Sequence, residues 1–210
     1  MAVYQGDFKN GQFFGTGKQF NENGVLLYEG LFRDGLYHGE GTLFRGNGSK
    51  YISGKWVFGK PHGPVQFYFP DNGLLQYEGG LKKMDDGGFV FQGQGTLYNQ
   101  TGQSVYQGLW EDGTRSGNGT AWLEDGSIYS GNWVDDYPDG KGTYLFPDGT
   151  EYEGGFIRGK KHGQGTFKEA DGFVSYDGEW KDGQRFGKGR VNKRDSSGYE
   201  GDWLDGKPHG

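Results

Sequence analysis

The sequence predicts an all-β protein: an elongated, single-layer antiparallel sheet of tandem β-hairpins with no ordinary interior. Three observations predict it. A frame of about 23 residues recurs, starting at Tyr4, Tyr28, Ile52, Tyr77, Tyr106, Tyr129, Tyr152, Tyr176 and Tyr199, at spacings of 24, 24, 25, 29, 23, 23, 24 and 23. Each half of the frame alternates with period two and is bounded by Gly, Asp-Gly or Asn-Gly, the pattern of paired strands joined by tight turns. Glycine supplies 45 of 210 residues and aromatic residues 17%, while only 31% count as hydrophobic. That mixture is too lean for a conventional core and too aromatic for disorder. The chain therefore reads as one array over residues 1–210, about eight and a half hairpins long.

The frame is clearest in residues 106–126. Strand side chains alternate between faces, so Tyr106, Gly108 and Trp110 share one face, and Gly117, Gly119 and Ala121 share that face on the partner strand. The Ala121 position is apolar in most units, as Leu43, Phe67, Leu97, Tyr144, Phe167 and Val191, with Gln19 the exception. The opposite face repeats threonine, as Thr42, Thr96, Thr120, Thr143 and Thr166. One face is expected to be aromatic and the other polar. Glycine normally weakens a strand, so its regular recurrence needs a purpose: bare backbone leaves room for a neighbouring aromatic ring to lie over it. By that argument Gly117→Val should destabilise its hairpin. A single hairpin is marginal in water, and stacking supplies the missing contacts. Some 17 strands at about 4.8 Å each would give a twisted ribbon on the order of 80 Å long.

Two stretches carry a resemblance to a known family. Tyr28-Glu29-Gly30-Leu31-Phe32-Arg33-Asp34-Gly35-Leu36-Tyr37-His38-Gly39-Glu40-Gly41 and Tyr152-Glu153-Gly154-Gly155-Phe156-Ile157-Arg158-Gly159-Lys160-Lys161-His162-Gly163-Gln164-Gly165 resemble the MORN (membrane occupation and recognition nexus) repeat. The resemblance implies a single sheet of hairpins, and covers functions from cytoskeletal scaffolds to lipid-kinase and methyltransferase regions, so it does not choose a function by itself.

Departures from the frame mark expected irregularities. The first unit has Phe14 before Gly15. The third has Ile52 in the Tyr place, Tyr51 displaced, and Pro64-Val65 where glycine is expected second, which predicts weaker pairing there. The fourth inserts about five residues within 82–91, which predicts a longer hairpin loop. The sixth carries Tyr137-Pro138-Asp139 and lacks the first turn glycine, which predicts a different turn geometry.

Charge and composition exclude several functions. The net charge is −6, and residues 101–150 hold two basic side chains against eight acidic ones, the reverse of a nucleic-acid surface. With no cysteine there is neither a disulfide nor a thiolate metal site, and a reducing, cytoplasmic location is expected, with cytoskeletal or membrane association. No apolar run is long enough to span a bilayer. Asn47, Asn99 and Asn118 match the glycosylation pattern but read as turns. His38, His62, His162 and His209 each fall ten residues after their unit's first position, so they mark one repeated turn place rather than a metal or catalytic cluster. No cofactor, metal or catalytic residue is expected.

What remains is a non-catalytic interaction scaffold. The aromatic face is expected to receive a protein segment, a peptide or helix, through Tyr28, Phe32, Trp56, Trp110, Trp133, Phe156, Trp180 and Trp203. The last strand, starting at Tyr199, is expected to be an unpaired edge able to form a homodimer. The alternatives are a phosphoinositide-membrane module, contacting lipid through Arg158, Lys160, Lys161, Lys181, Arg185 and Lys188, and the regulatory segment of a larger enzyme.

Overall fold

The alternating pattern of the sequence becomes strands throughout. In the computed structural model, which describes residues 3–210, the fold is all-β, an open antiparallel sheet of eighteen strands whose order follows the chain. Among the described residues it is organised as two units, the first comprising residues 3–105 with Trp110–Gly113, the second Tyr106–Leu109 with Thr114–Gly210.

The first unit contains β1 (Val3–Lys9), β2 (Gln12–Phe20), β3 (Leu26–Arg33), β4 (Leu36–Phe44), β5 (Lys50–Val57), β6 (Lys60–Tyr68), β7 (Leu75–Lys83) and β8 (Phe89–Tyr98). Strand β9 (Ser104–Glu111) gives residues to both units. The second unit continues with β10 (Thr114–Trp122), β11 (Ile128–Val134), β12 (Tyr137–Leu145), β13 (Glu151–Ile157), β14 (Lys160–Lys168), β15 (Val174–Lys181), β16 (Gln184–Asn192), β17 (Gly198–Leu204) and β18 (Lys207–His209).

The turn chemistry explains why each frame closes as a hairpin. In the two-residue turns the first residue has φ near +50° and the second is a left-handed glycine, as in Asp112-Gly113 (+47°, +87°) and Asp182-Gly183 (+51°, +89°), the primed geometry that matches strand twist. The sixth unit was expected to deviate and does not. Asp135 and Asp136 hold +48° and +68°, so aspartate takes the left-handed place of the missing glycine. Arg115 stabilises that place, its backbone N–H and Nε both donating to Asp136 Oδ1 at 2.9 Å. At the other end of each hairpin the longer loop is closed by a carboxylate or amide. Asp125, Asp148 and Asp171 accept from the N–H two residues on, and Asn47 and Asn72 do the same. Asn47 and Asn99 thus lie in turns as expected, whereas Asn118 sits inside β10 opposite Asn132.

Pairing around the third unit is weaker, as expected: β5 and β6 keep the usual register, with Ile52 opposite Phe67 and Gly54 opposite Val65, but β6 and β7 pair only from Val65–Gly79 to Tyr68–Leu75, without counterparts of the Gly39–Trp56 and Glu40–Lys55 pairs that β4 and β5 make. The smaller Ile52 leaves space that the 2% exposed Val65 side chain fills, so valine stands where other units need glycine under a tyrosine ring. The end strand β17 is not an unpaired edge, since β18 pairs with it through Asp202–His209, Trp203–Pro208 and Leu204–Lys207. The insertion in the fourth unit does lengthen its hairpin: β7 and β8 gain the pair Lys83–Phe89 and a loop closed by Met84 N–H donating to Gly88 O.

Candidate interaction surface

The aromatic residues build the interior of this one-layer sheet. In unit after unit the first-position tyrosine ring covers two glycines. A Cβ on Gly154 or Gly165 would overlap Tyr152, and the same holds for Tyr28 over Gly30 and Gly41 and for Tyr106 over Gly108 and Gly119. Each tyrosine hydroxyl then donates to the carbonyl three residues on, where the strand bulges: Tyr129 to Asn132 O at 2.9 Å, Tyr152 to Gly155 O at 3.0 Å, Tyr176 to Glu179 O at 3.0 Å. Gly117 is not one of the covered positions. It adopts a left-handed φ of +56° beside Leu109, so valine there would be resisted by backbone strain rather than by a ring.

The residue four places after each tyrosine joins successive hairpins. Tyr152 meets Phe156 and Trp180 edge-on at 5.2 and 5.1 Å, and Tyr176 meets Trp180 and Trp203 at 5.1 and 5.4 Å. Each indole N–H donates to a glycine carbonyl of the preceding hairpin: Trp56 to Gly41, Trp110 to Gly95, Trp133 to Gly119, Trp180 to Gly165 and Trp203 to Gly189, at 3.0–3.3 Å. Tyr28, Phe32, Trp56, Trp110, Trp133, Phe156, Trp180 and Trp203 are therefore core, each at most 7% exposed. The expectation that they form an open platform for a partner is corrected, because their faces are already taken by glycine backbone and by one another.

A further position, nine residues after most of the tyrosines, was not singled out in the sequence. In the first unit it holds rings stacked on the tyrosines: Phe13 on Tyr4 at 3.9 Å, Tyr37 on Tyr28 at 3.8 Å and, past the insertion, Phe91 on Tyr77 at 3.9 Å. In the second unit it holds proline in two hairpins, Pro138 and Pro208, and cations in three, with Arg115 over Trp133 at 4.2 Å, Lys161 over Tyr152 and Trp180 at 5.0 Å, and Arg185 over Tyr176 at 4.6 Å. Aligning the repeats column by column would have exposed it. Its backbone carbonyl accepts the turn N–H of the next hairpin, as Gly159 to Pro138 O at 2.8 Å and Gly183 to Lys161 O at 2.9 Å.

The opposite face is open. In the second unit the covered glycines stand directly opposite one another from strand to strand, Gly119, Gly131, Gly142, Gly154, Gly165, Gly178, Gly189 and Gly201. Their rings lie on the far side, so on this face the row is bare backbone flanked by polar side chains. The result is a trough of about 740 Å³, with Ser130, Thr143, Glu153, Thr166 and Asp177 along one wall and Lys141 and Gln164 along the other. In the first unit the corresponding row, Gly17, Gly30, Gly41 and Gly54, is interrupted by Val65 before Gly79 and Gly95. This face is not wholly polar, since Phe44, Tyr68, Tyr98, Trp122 and Leu145 occupy one position near the long loops, the last two exposed.

The six basic residues expected to meet lipid are divided by strand alternation. Lys161 and Arg185 lie over core rings. Lys188, on the other face of β16, pairs with Asp202 at 2.8 Å. Lys181 lies 5.0 Å over Phe186, Arg158 sits in a turn above Tyr137, and Lys160 is exposed beside it. They do not form one patch. Among the described residues no group of three or more His, Cys, Asp or Glu side chains could hold a metal ion, and no helix is long and apolar enough to cross a membrane.

Comparison with known proteins agrees with this geometry. The MORN repeat matches residues 4–25, 28–50, 53–74, 106–128, 129–151, 152–173, 176–191 and 199–210. The chain belongs to the MORN repeat family. MORN repeats are a non-catalytic repeat type and in general serve as interaction modules for proteins or membranes. The match omits the fourth unit, whose insertion breaks the spacing although β7 and β8 still form its hairpin. No curated protein matches the chain in sequence. Among solved structures, a mutant of the TCP10 domain of Danio rerio CPAP is similar at 15% identity over 97% of this chain and 99% of that chain, with a TM-score of 0.27.

Proposed function

We propose that this MORN array is a non-catalytic, cytoplasmic protein-interaction scaffold, and that the second unit receives an extended segment of a protein partner in its glycine-floored trough. The observation that carries this reading is the trough itself, whose floor is Gly131, Gly142, Gly154 and Gly165 between polar walls. An extended peptide can lie on such a floor without meeting side chains, and the hydroxyls of Ser130, Thr143 and Thr166 with the carboxylates of Glu153 and Asp177 supply the polar contacts that set register. The aromatic face contributes rigidity rather than contact, which keeps the trough preformed.

Selection from a displayed random-peptide library tests it. Binders should be recovered, lose affinity at least tenfold to Thr143→Arg/Thr166→Arg, and keep it against Tyr137→Ser at the turn edge. Binders indifferent to the wall substitutions would refute the trough. Sedimentation with phosphoinositide vesicles at low salt, insensitive to those substitutions, would instead favour the membrane reading.

A further inference from the structure

Five of the six tryptophans, Trp56, Trp110, Trp133, Trp180 and Trp203, are core, whereas the sixth, Trp122, is 36% exposed on the trough face. Strand register sets Trp122 opposite Ile128, and Ile128 opposite Leu145, which is itself 38% exposed. Three apolar side chains from three neighbouring strands thus stand side by side. The fold does not require them there: past Leu145 the same row continues as Glu151 and Lys168, which pair at 2.9 Å, and the place of Trp122 and Leu145 is next held by Asn192. The patch borders the trough. Ile128 is followed by Ser130 and Leu145 preceded by Thr143, two residues along each strand on the same face, so the patch stands about 7 Å beyond that wall. Contiguous exposed apolar area beside a groove seats an anchor side chain, and tryptophan is enriched among such contacts.

The charge around the patch is one-sided. The loops that flank it carry Glu124, Asp125 and Asp148, all exposed, and among the described residues none of the three has an ion-pair partner. Residues 101–150 hold only two basic side chains, and one of them, Arg115, is engaged by Asp136 and the ring of Trp133. Beyond Leu145 the sign evens out, since Lys168 neutralises Glu151 and Glu153. We infer that the segment received by the trough is a cationic stretch of a partner protein with a large apolar anchor. The anchor lies on Trp122, Ile128 and Leu145, and Lys or Arg side chains beside it meet Glu124, Asp125 and Asp148. This rests on the trough reading above and adds the chemistry of the partner. The apolar contact supplies most of the affinity, while the unpaired carboxylates speed encounter and reject acidic segments.

The test selects displayed random peptides against the whole protein, keeps the binders that Thr143→Arg/Thr166→Arg weakens, sequences them and measures them on two further variants. Trp122→Thr/Leu145→Thr removes the patch with a residue suited to strands. Glu124→Gln/Asp125→Asn/Asp148→Asn removes the charge and keeps the loop acceptor that Asn47 and Asn72 supply in other hairpins. Both should melt in urea like the parent, because the altered side chains are exposed. The binders should be net positive with at least one large apolar residue. Loss of the patch should weaken them about tenfold and loss of the charges roughly fivefold, the second loss vanishing in about 1 M salt, where the Debye length is about 3 Å. Wall-dependent binders that are neutral or acidic, or that bind both variants unchanged, would overturn the inference and leave the trough reading standing. Absence of any wall-dependent binder would defeat both.

Discussion

The two units solve one packing problem with different chemistry. Over its repeat tyrosines the first unit places rings, Phe13, Tyr37 and Phe91, while the second places cations, Arg115, Lys161 and Arg185. The difference teaches that ring stacking and cation–π contact both satisfy the position, which other hairpins of both units fill with proline, as Pro61, Pro138 and Pro208. A second difference runs in parallel. The glycine row is unbroken in the second unit, whereas in the first Val65 breaks it on the aromatic face, filling the space that Ile52 leaves.

The comparison breaks most visibly if the cap of one unit is placed in the other. Tyr37→Lys in the first unit forfeits a stack on Tyr28, edge contacts to Phe32 and Trp56, and the hydroxyl's hydrogen bond to Gln19 at 2.9 Å. A loss of about 2–3 kcal/mol is expected in denaturant unfolding. The reverse change, Lys161→Phe, replaces a desolvated cation beside Arg185 with a ring and should raise stability by about 1 kcal/mol at neutral pH.

Titration sharpens the same contrast. Because Lys161 is pushed down to about 8 when folded, the unfolded chain binds the proton more tightly, so its penalty is present below about pH 8 and fades as pH rises toward 10.5. The advantage of Lys161→Phe should therefore shrink between pH 8 and 10.5. The tyrosines have the opposite sign. Burial pushes Tyr129 and Tyr152 up to about 12 from 10.0, so their contribution is intact below pH 10 and lost as pH climbs through 12. Urea melts at pH 7, 9 and 11 would show both trends.

Much of this was legible in the residues. The frame from Tyr4 to Tyr199, the hairpin turns and the pairing of rings with glycines all follow from period-two alternation and Gly spacing, because strand geometry fixes which neighbours meet. What escaped was tertiary. Burial of Trp110 and Trp180 depends on the adjoining hairpin's tyrosine and carbonyls, which a single frame does not display. The Ile52–Val65 exchange reads as two defects until both are seen to fill one space. Asp136 reads as a missing glycine, although short acidic residues tolerate the left-handed region. The trough faces away from the aromatic residues that drew the expectation of binding, and it is marked only by the polar residues that alternate with them, Ser130, Thr143, Glu153, Thr166 and Asp177.

The central claim, that tyrosine rings lying on bare glycine hold the sheet together, is tested most directly by transplanting the exception. Tyr152→Ile and Gly165→Val should each cost about 3 kcal/mol alone, one by losing the ring and the other by colliding with it. Together they recreate the Ile52–Val65 pair, and a double-mutant cycle read by urea unfolding should show at least 2 kcal/mol of favourable coupling. Costs that simply add would contradict the account.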